Sequence, residues 1–178
     1  DAPRASHPTA AATWVRVKNG KIESATLGDS IAIVRTPAGE VTVLGESSKP
    51  ADEQKRAQTV MAGTLEERLK WLQDVRAIHN TTNGYWVFGV QPEAAAHIVY
   101  QSTDAPAGTQ VLVMTDGYYR LVSPYGRYTD AQLIEAVIAR GLGELMRELR
   151  SLEASPEDDA KIGRFKTSDD ATALLLEV

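Results

Sequence analysis

Apolar and polar positions alternate with a period of two through most of the first 44 residues. Residues 11–18 (AATWVRVK) carry Trp14 between the β-branched Thr13, Val15 and Val17, which predicts a strand. Asn19-Gly20 follows, and both positions of a type I′ turn need positive φ, so Lys21 to Leu27 is expected to run back as the partner strand. A second hairpin is predicted from Ile31–Arg35, a turn through Pro37-Ala38-Gly39, and Val41–Leu44. The pattern then changes to a helical one. Residues 51–62 are rich in Ala, Glu, Gln and Lys and read as a helix, which Gly63 interrupts. Thr64 with Glu67 three residues on predicts a capping box, and Leu65, Leu69, Leu72 and Val75 form the stripe expected to face a core.

Past the loop at Asn80–Gly84, short strands are expected at Tyr85–Val90 and His97–Gln101, with a turn opened by Pro92 between them. Gln110–Met114 is a further strand, reached through Ala105-Pro106-Ala107-Gly108. Thr129 is the expected cap of a helix over 130–140, and Leu142–Glu153 is a second helix with Leu145, Met146, Leu149 and Leu152 on its apolar side. Residues 155–165 read as a charged loop, and Ala171–Val178 as the last strand. Hairpins rather than strand–helix–strand units imply an α+β fold with antiparallel sheets.

At 178 residues, 43% hydrophobic and 24% charged, the chain is expected to form one soluble domain, residues 1–178. The net charge of −5, with no basic stripe, excludes a general nucleic-acid binder. No apolar run approaches the roughly 18 residues of a membrane-spanning helix. The absence of cysteine excludes disulfides, thiolate metal sites and a cysteine nucleophile, and fits a cytoplasmic location.

Three acidic stretches carry the candidate chemistry: Gly28-Asp29-Ser30, Thr115-Asp116-Gly117 and Asp169-Asp170-Ala171-Thr172. Each sets an aspartate at the end of an apolar strand. Gathered there, carboxylates suit hard divalent cations, which take oxygen ligands. The bland reading of each is a turn aspartate bonding its own backbone. Gly117 either permits close backbone approach or is a plain turn glycine. Tyr118, Tyr119 and Tyr125 fit core packing better than a substrate cleft, and His97 reads as a core histidine. Glu157-Asp158-Asp159 reads as a solvated patch.

In their order and surroundings, these motifs resemble those of the metal-dependent protein phosphatase 2C family, over about Pro8 to Val178. Gly28-Asp29-Ser30 is similar to that family's internal motif, Thr115-Asp116-Gly117 to its strand-to-loop motif, and Asp169-Asp170 to its terminal acidic motif. The resemblance implies two stacked antiparallel sheets flanked by helices. It implies Mn²⁺ or Mg²⁺ ions, two or three of them, held by Asp116 and Asp169, with Asp29 near a weaker position and Asp170 where the family more often has asparagine. Gly117 and Gly28 would shape the backbone of that site. The implied activity is hydrolysis of phosphoserine or phosphothreonine in a phosphoprotein by a water that two cations, about 3.5–4 Å apart, activate. The family's N-terminal acidic pair, its Asp-Gly-His-Gly stretch with the metal-bridging aspartate, and a phosphate-binding arginine do not occur here. Either an upstream segment or second polypeptide completes the domain, or the chain is a regulatory or scaffold branch with an incomplete site. None of His7, His79 and His97 matches a family motif, so no general acid is assigned.

Overall fold

In a computed structural model the structure describes residues 3–46, 60, 63–155 and 168–178. The first hairpin closes where the sequence places it. Asn19 and Gly20 take φ of +52° and +70°, and strand β2 (Ala12–Lys18) pairs antiparallel with β3 (Lys21–Leu27). The second joins β4 (Ile31–Arg35) to β5 (Val41–Leu44). Before them, β1 (Thr9–Ala10) pairs with β6 (Phe88–Gly89). Later strands insert between or beside these: β7 (Val99–Asp104) pairs with β3, β8 (Gln110–Met114) with β4, and β9 (Ala173–Glu177) with β8. The result is a three-stranded sheet in the order β2-β3-β7, a four-stranded sheet in the order β5-β4-β8-β9, and the β1-β6 pair, all antiparallel.

Four helices complete the described part: α1 (Leu65–Ala77), the single turn α2 (Asp116–Tyr119), α3 (Asp130–Arg140) and α4 (Leu142–Glu153). Thr64 and Thr129 each form the reciprocal capping box with the residue three positions on, Glu67 and Gln132. Among the described residues no helix is long and apolar enough to cross a membrane.

The strand period of two sorts the four-stranded sheet into two faces. Ile31, Ile33, Leu112 and Met114 pack against Leu133, Ile134 and Val137 of α3 and Leu145 and Leu149 of α4. The alternate residues Ala32, Val34, Leu44 and Val111 pack against Ile22 of the other sheet. Sheet, sheet and helix pair are thus stacked as three layers. Leu174 and Leu176 of β9 lie on the face toward the other sheet but are 54% and 38% exposed, since β2 is the last strand of that sheet on its open side.

Several expectations fail locally. The α1 stripe does not enter a core: Leu65 is 70% and Leu69 49% exposed, and the helix has no buried residue. Its helical period is that of an amphipathic element, but period alone does not state what covers the apolar side. The expected strand over 85–90 contracts to Phe88–Gly89, and that over 97–101 shifts to Val99–Asp104. His97 therefore sits exposed at the end of a 3-10 turn, Pro92–His97, with its ring stacked on Trp86 at 3.5 Å between centroids. Pro92 starts that turn at its first position, where a missing N–H costs nothing. The helix expected over 51–62 lies almost wholly outside the described residues, as do the charged loop and acidic patch at 156–167.

The burial pattern predicts a contrast within the four-stranded sheet. Leu112→Ala, at a fully buried position, should cost about 3 kcal/mol, with Leu174→Ala within about 1 kcal/mol of the parent, both read from urea unfolding. Equal costs at the two positions would contradict the layer assignment.

Candidate functional site

Strand register decides where the acidic stretches go. Ile31, the first residue of β4, stands opposite Met114, the last of β8, and Met114 stands opposite Ala173, the first of β9. Antiparallel neighbours start and stop at a common edge, so Gly28-Asp29-Ser30, Thr115-Asp116-Gly117 and Ser168–Thr172 all leave the same end of the four-stranded sheet. One further pair of bonds extends the ladder past that end. The Thr115 N–H donates to the Thr172 carbonyl at 3.0 Å, and the Thr172 N–H donates to Thr115 Oγ1 at 3.0 Å.

The glycines of these stretches serve two different needs. A Cβ on Gly117 would run into the Asp170 carbonyl, so this position is glycine because the two loops touch. Gly28 combines a φ of +97° with a Cβ position only 2.7 Å from the Ala11 Cβ, so both backbone conformation and space exclude a side chain. Tyr118 and Tyr119, which follow Gly117, turn into the core, and Tyr125 packs against it; Tyr118 donates to the Leu142 carbonyl at 3.1 Å and Tyr119 to Asp130 at 2.8 Å. Burial pushes the Tyr118 phenol up to about 12.

Asp29, Asp116 and Asp169 are half-buried, and Asp170 is exposed. Asp169 has partners the sequence did not suggest. Arg120 Nη2 donates to its Oδ2 at 3.1 Å, and the Asp170 N–H donates to its Oδ1 at 3.0 Å. Arg120 Nη1 donates in turn to Glu153 Oε1 at 3.0 Å. Glu153, the last residue of α4, has a side chain with no exposed surface; it also accepts from Arg150 and from the Asp169 N–H at 3.3 Å. Burial alone would push the Glu153 carboxyl up, but the bonds from Arg150, the Asp169 backbone and Arg120 outweigh it and hold the group below the ordinary glutamate value.

Among the described residues, no group of three or more His, Cys, Asp or Glu is arranged to hold a metal ion. A Mg²⁺- or Ca²⁺-like cation wants about six or more oxygens, and both Asp169 oxygens already accept hydrogen bonds, one from a guanidinium. Among the described residues the donor set therefore does not by itself fit such a cation. The expected ligands Asp29, Asp116, Asp169 and Asp170 share one end of the sheet without forming a metal-holding group there. Arg120 follows Asp116 by about one helical turn, a spacing that could have flagged it. For Glu153 no sequence signal existed, because an acid ending a helix reads as solvated.

The histidines engage other parts of the chain. His7 Nδ1 lies 2.8 Å from Gln91 Nε2, the His79 ring meets Tyr85 edge-on at 6.3 Å, and His97 stacks on Trp86.

Comparison with known proteins bears on this arrangement. A family model described as protein phosphatase 2C matches residues 2–153. Among solved structures, the serine/threonine phosphatase PstP/Ppp of Mycobacterium tuberculosis is similar at 16% identity and a TM-score of 0.47, with 94% of this chain and 59% of that chain covered. Serine-threonine phosphatase 2C from Toxoplasma gondii is similar at 14% identity and a TM-score of 0.50, with 95% and 58% covered. The serine/threonine phosphatase of S. agalactiae matches at 15% identity and a TM-score of 0.47, with 96% and 60% covered. The chain thus spans about three-fifths of the length of these structures. A comparison with curated protein sequences found no match.

Two outcomes follow from the geometry. Gly117→Ala should cost at least about 2 kcal/mol in urea unfolding, because the added methyl must displace the Asp170 backbone. Glu153 has a folded pKa below its unfolded one, so its contribution is fully present above about pH 4.5 and is lost as the pH falls through the depressed folded value. Glu153→Gln should therefore lower stability at neutral pH and flatten its decline as the pH falls below about 4.5, measured as the urea midpoint against pH.

Proposed function

Because this chain belongs to the protein phosphatase 2C family, we propose that it is the larger part of a serine/threonine phosphoprotein phosphatase domain. In this reading residues 1–178 contribute one side of a divalent-cation site. Asp29, Asp116 and Asp169 supply it, with Asp170 beside them and Gly117 and Gly28 setting the backbone approach. The observation that carries the reading is the strand register, which puts all three acidic stretches at one end of the four-stranded sheet. Mn²⁺ or Mg²⁺ suits a donor set made of carboxylate oxygens in a chain without cysteine.

The remaining ligands come from polypeptide outside residues 1–178, an upstream segment or a second chain, in keeping with the three-fifths coverage of the similar structures. The substrate is a phosphorylated serine or threonine of a protein. The described residues alone make an incomplete donor set, and the 178-residue chain is not expected to turn over. One observation favours the second reading, a regulatory or scaffold domain: Asp169 is already neutralised by Arg120.

Release of phosphate from a phosphothreonine peptide in Mn²⁺ separates the readings. The 178-residue chain alone should stay at background. In a polypeptide that completes the fold, Asp116→Asn should lower kcat/KM by about 100-fold or more with little change in unfolding midpoint. Equal activity of the variant and its parent would remove Asp116 from the site. No activity in the completed polypeptide would favour the scaffold.

A further inference from the structure

Among the described residues, Arg120 sits at the centre of a chain of ion pairs. Two guanidiniums, Arg120 and Arg150, meet two carboxylates, Glu153 and Asp169, through contacts of 3.0 Å (Arg120–Glu153) and 3.1 Å (Arg120–Asp169) together with the Arg150–Glu153 pair. Three of the cluster's four members are withdrawn from water: the side chains of Arg120, Asp169 and Glu153 are 17%, 20% and 0% exposed, with Arg150 at the rim. A carboxylate placed so needs a partner, since an uncompensated buried charge is far costlier than a paired one. Arg120 also has its fork fixed from behind. Nη1 is held by Glu153, which leaves Nη2 aimed at Asp169, and the planar guanidinium cannot turn one nitrogen away without moving the other.

From this arrangement we infer that Arg120 is the resident counter-charge of Asp169, standing where the family reading would put a divalent cation, so that the folded chain is held together without one. Arg120 is a positioning residue here. It fixes the Asp169 carboxylate and ties the 168–172 stretch to the end of α4. The inference takes from the proposed phosphatase function only the place of the cation; the ion pairs stand on their own geometry.

The test is thermal unfolding of the 178-residue chain and a cycle of variants. In the parent, the melting midpoint should be the same within about 1 °C in EDTA and in about 5 mM MnCl₂, whereas a cation bound at a hundredth of that concentration would raise it by roughly 5–10 °C. Arg120→Gln should lower the midpoint by about 5 °C or more. Asp169→Asn can keep the acceptor for the Asp170 N–H, but it removes the charge and replaces the oxygen that accepts from Arg120 with an amide NH2. It should lower the midpoint of the parent by clearly more than that of the Arg120→Gln variant, because there the ion pair with Arg120 is already gone. Should Arg120→Gln not fold, Arg120→Lys is used instead; it keeps the charge but loses the fork shared between Glu153 and Asp169, so Asp169→Asn should cost less there than in the parent. The inference is overturned if Mn²⁺ raises the parent midpoint by several degrees, or if Asp169→Asn costs the same in both backgrounds. Neither arm uses hydrolysis, so loss of the phosphatase reading leaves the cycle intact, and failure of the cycle leaves that reading standing.

Discussion

The exchange of hydrogen bonds between Thr115 and Thr172 is the point on which the acidic end of the sheet depends. It continues the β8-β9 ladder by one step, past the end of β8 and ahead of the start of β9, and it fixes the two loops on the strand side of both aspartates. Gly117 then lets the loops close to backbone contact. On the other side, the β4-β8 pairing holds Gly28-Asp29-Ser30 at the same level. A sequence separation of 57 residues between Thr115 and Thr172, and the longer one between Ile31 and Met114, are thus removed by main-chain geometry, which carries no information about the side chains it brings together.

Side-chain charge decides what that geometry can do. Glu153 is the deepest ionised group at this end, and its burial is tolerable because two arginines and one backbone amide satisfy it. Such a network adds little net stability compared with an apolar core of the same volume, but it is directional. It accepts one arrangement of Arg120, and that arrangement reaches Asp169. A second network on the outer side of α3 and α4 is built in the same manner. Glu148 accepts from Arg127, Tyr128 and Arg140, and burial, which would raise its carboxyl pKa, is outweighed by those three donors.

The hairpins, the two capped helices and the strand from Gln110 were legible because each rests on local chemistry: positive-φ turn residues, a Thr cap with its partner three positions on, and alternation with a period of two. The acidic stretches were legible as motifs, and the α+β class followed from the hairpins. What failed was decided by tertiary context. Leu65 and Leu69 of α1 keep helical spacing yet stay exposed, and His97 leaves the expected strand because Pro92 begins a turn that runs through it. Arg120 and Glu153 were overlooked for a different reason. Their role depends on the end of one helix meeting a loop, and nothing in the residues around either states that they will meet.

Strand β4 has a consequence of its own. Its first four residues are all buried, Ile31 and Ile33 toward the helices, Ala32 and Val34 toward the second sheet. A five-residue segment therefore belongs to both apolar layers at once. Neither layer can melt while the other stays intact, because losing β4 from one withdraws it from the other. Fraying is left to what lies outside this shared strand, the exposed α1 and the short β1-β6 pair, and the rest is coupled into one cooperative unit.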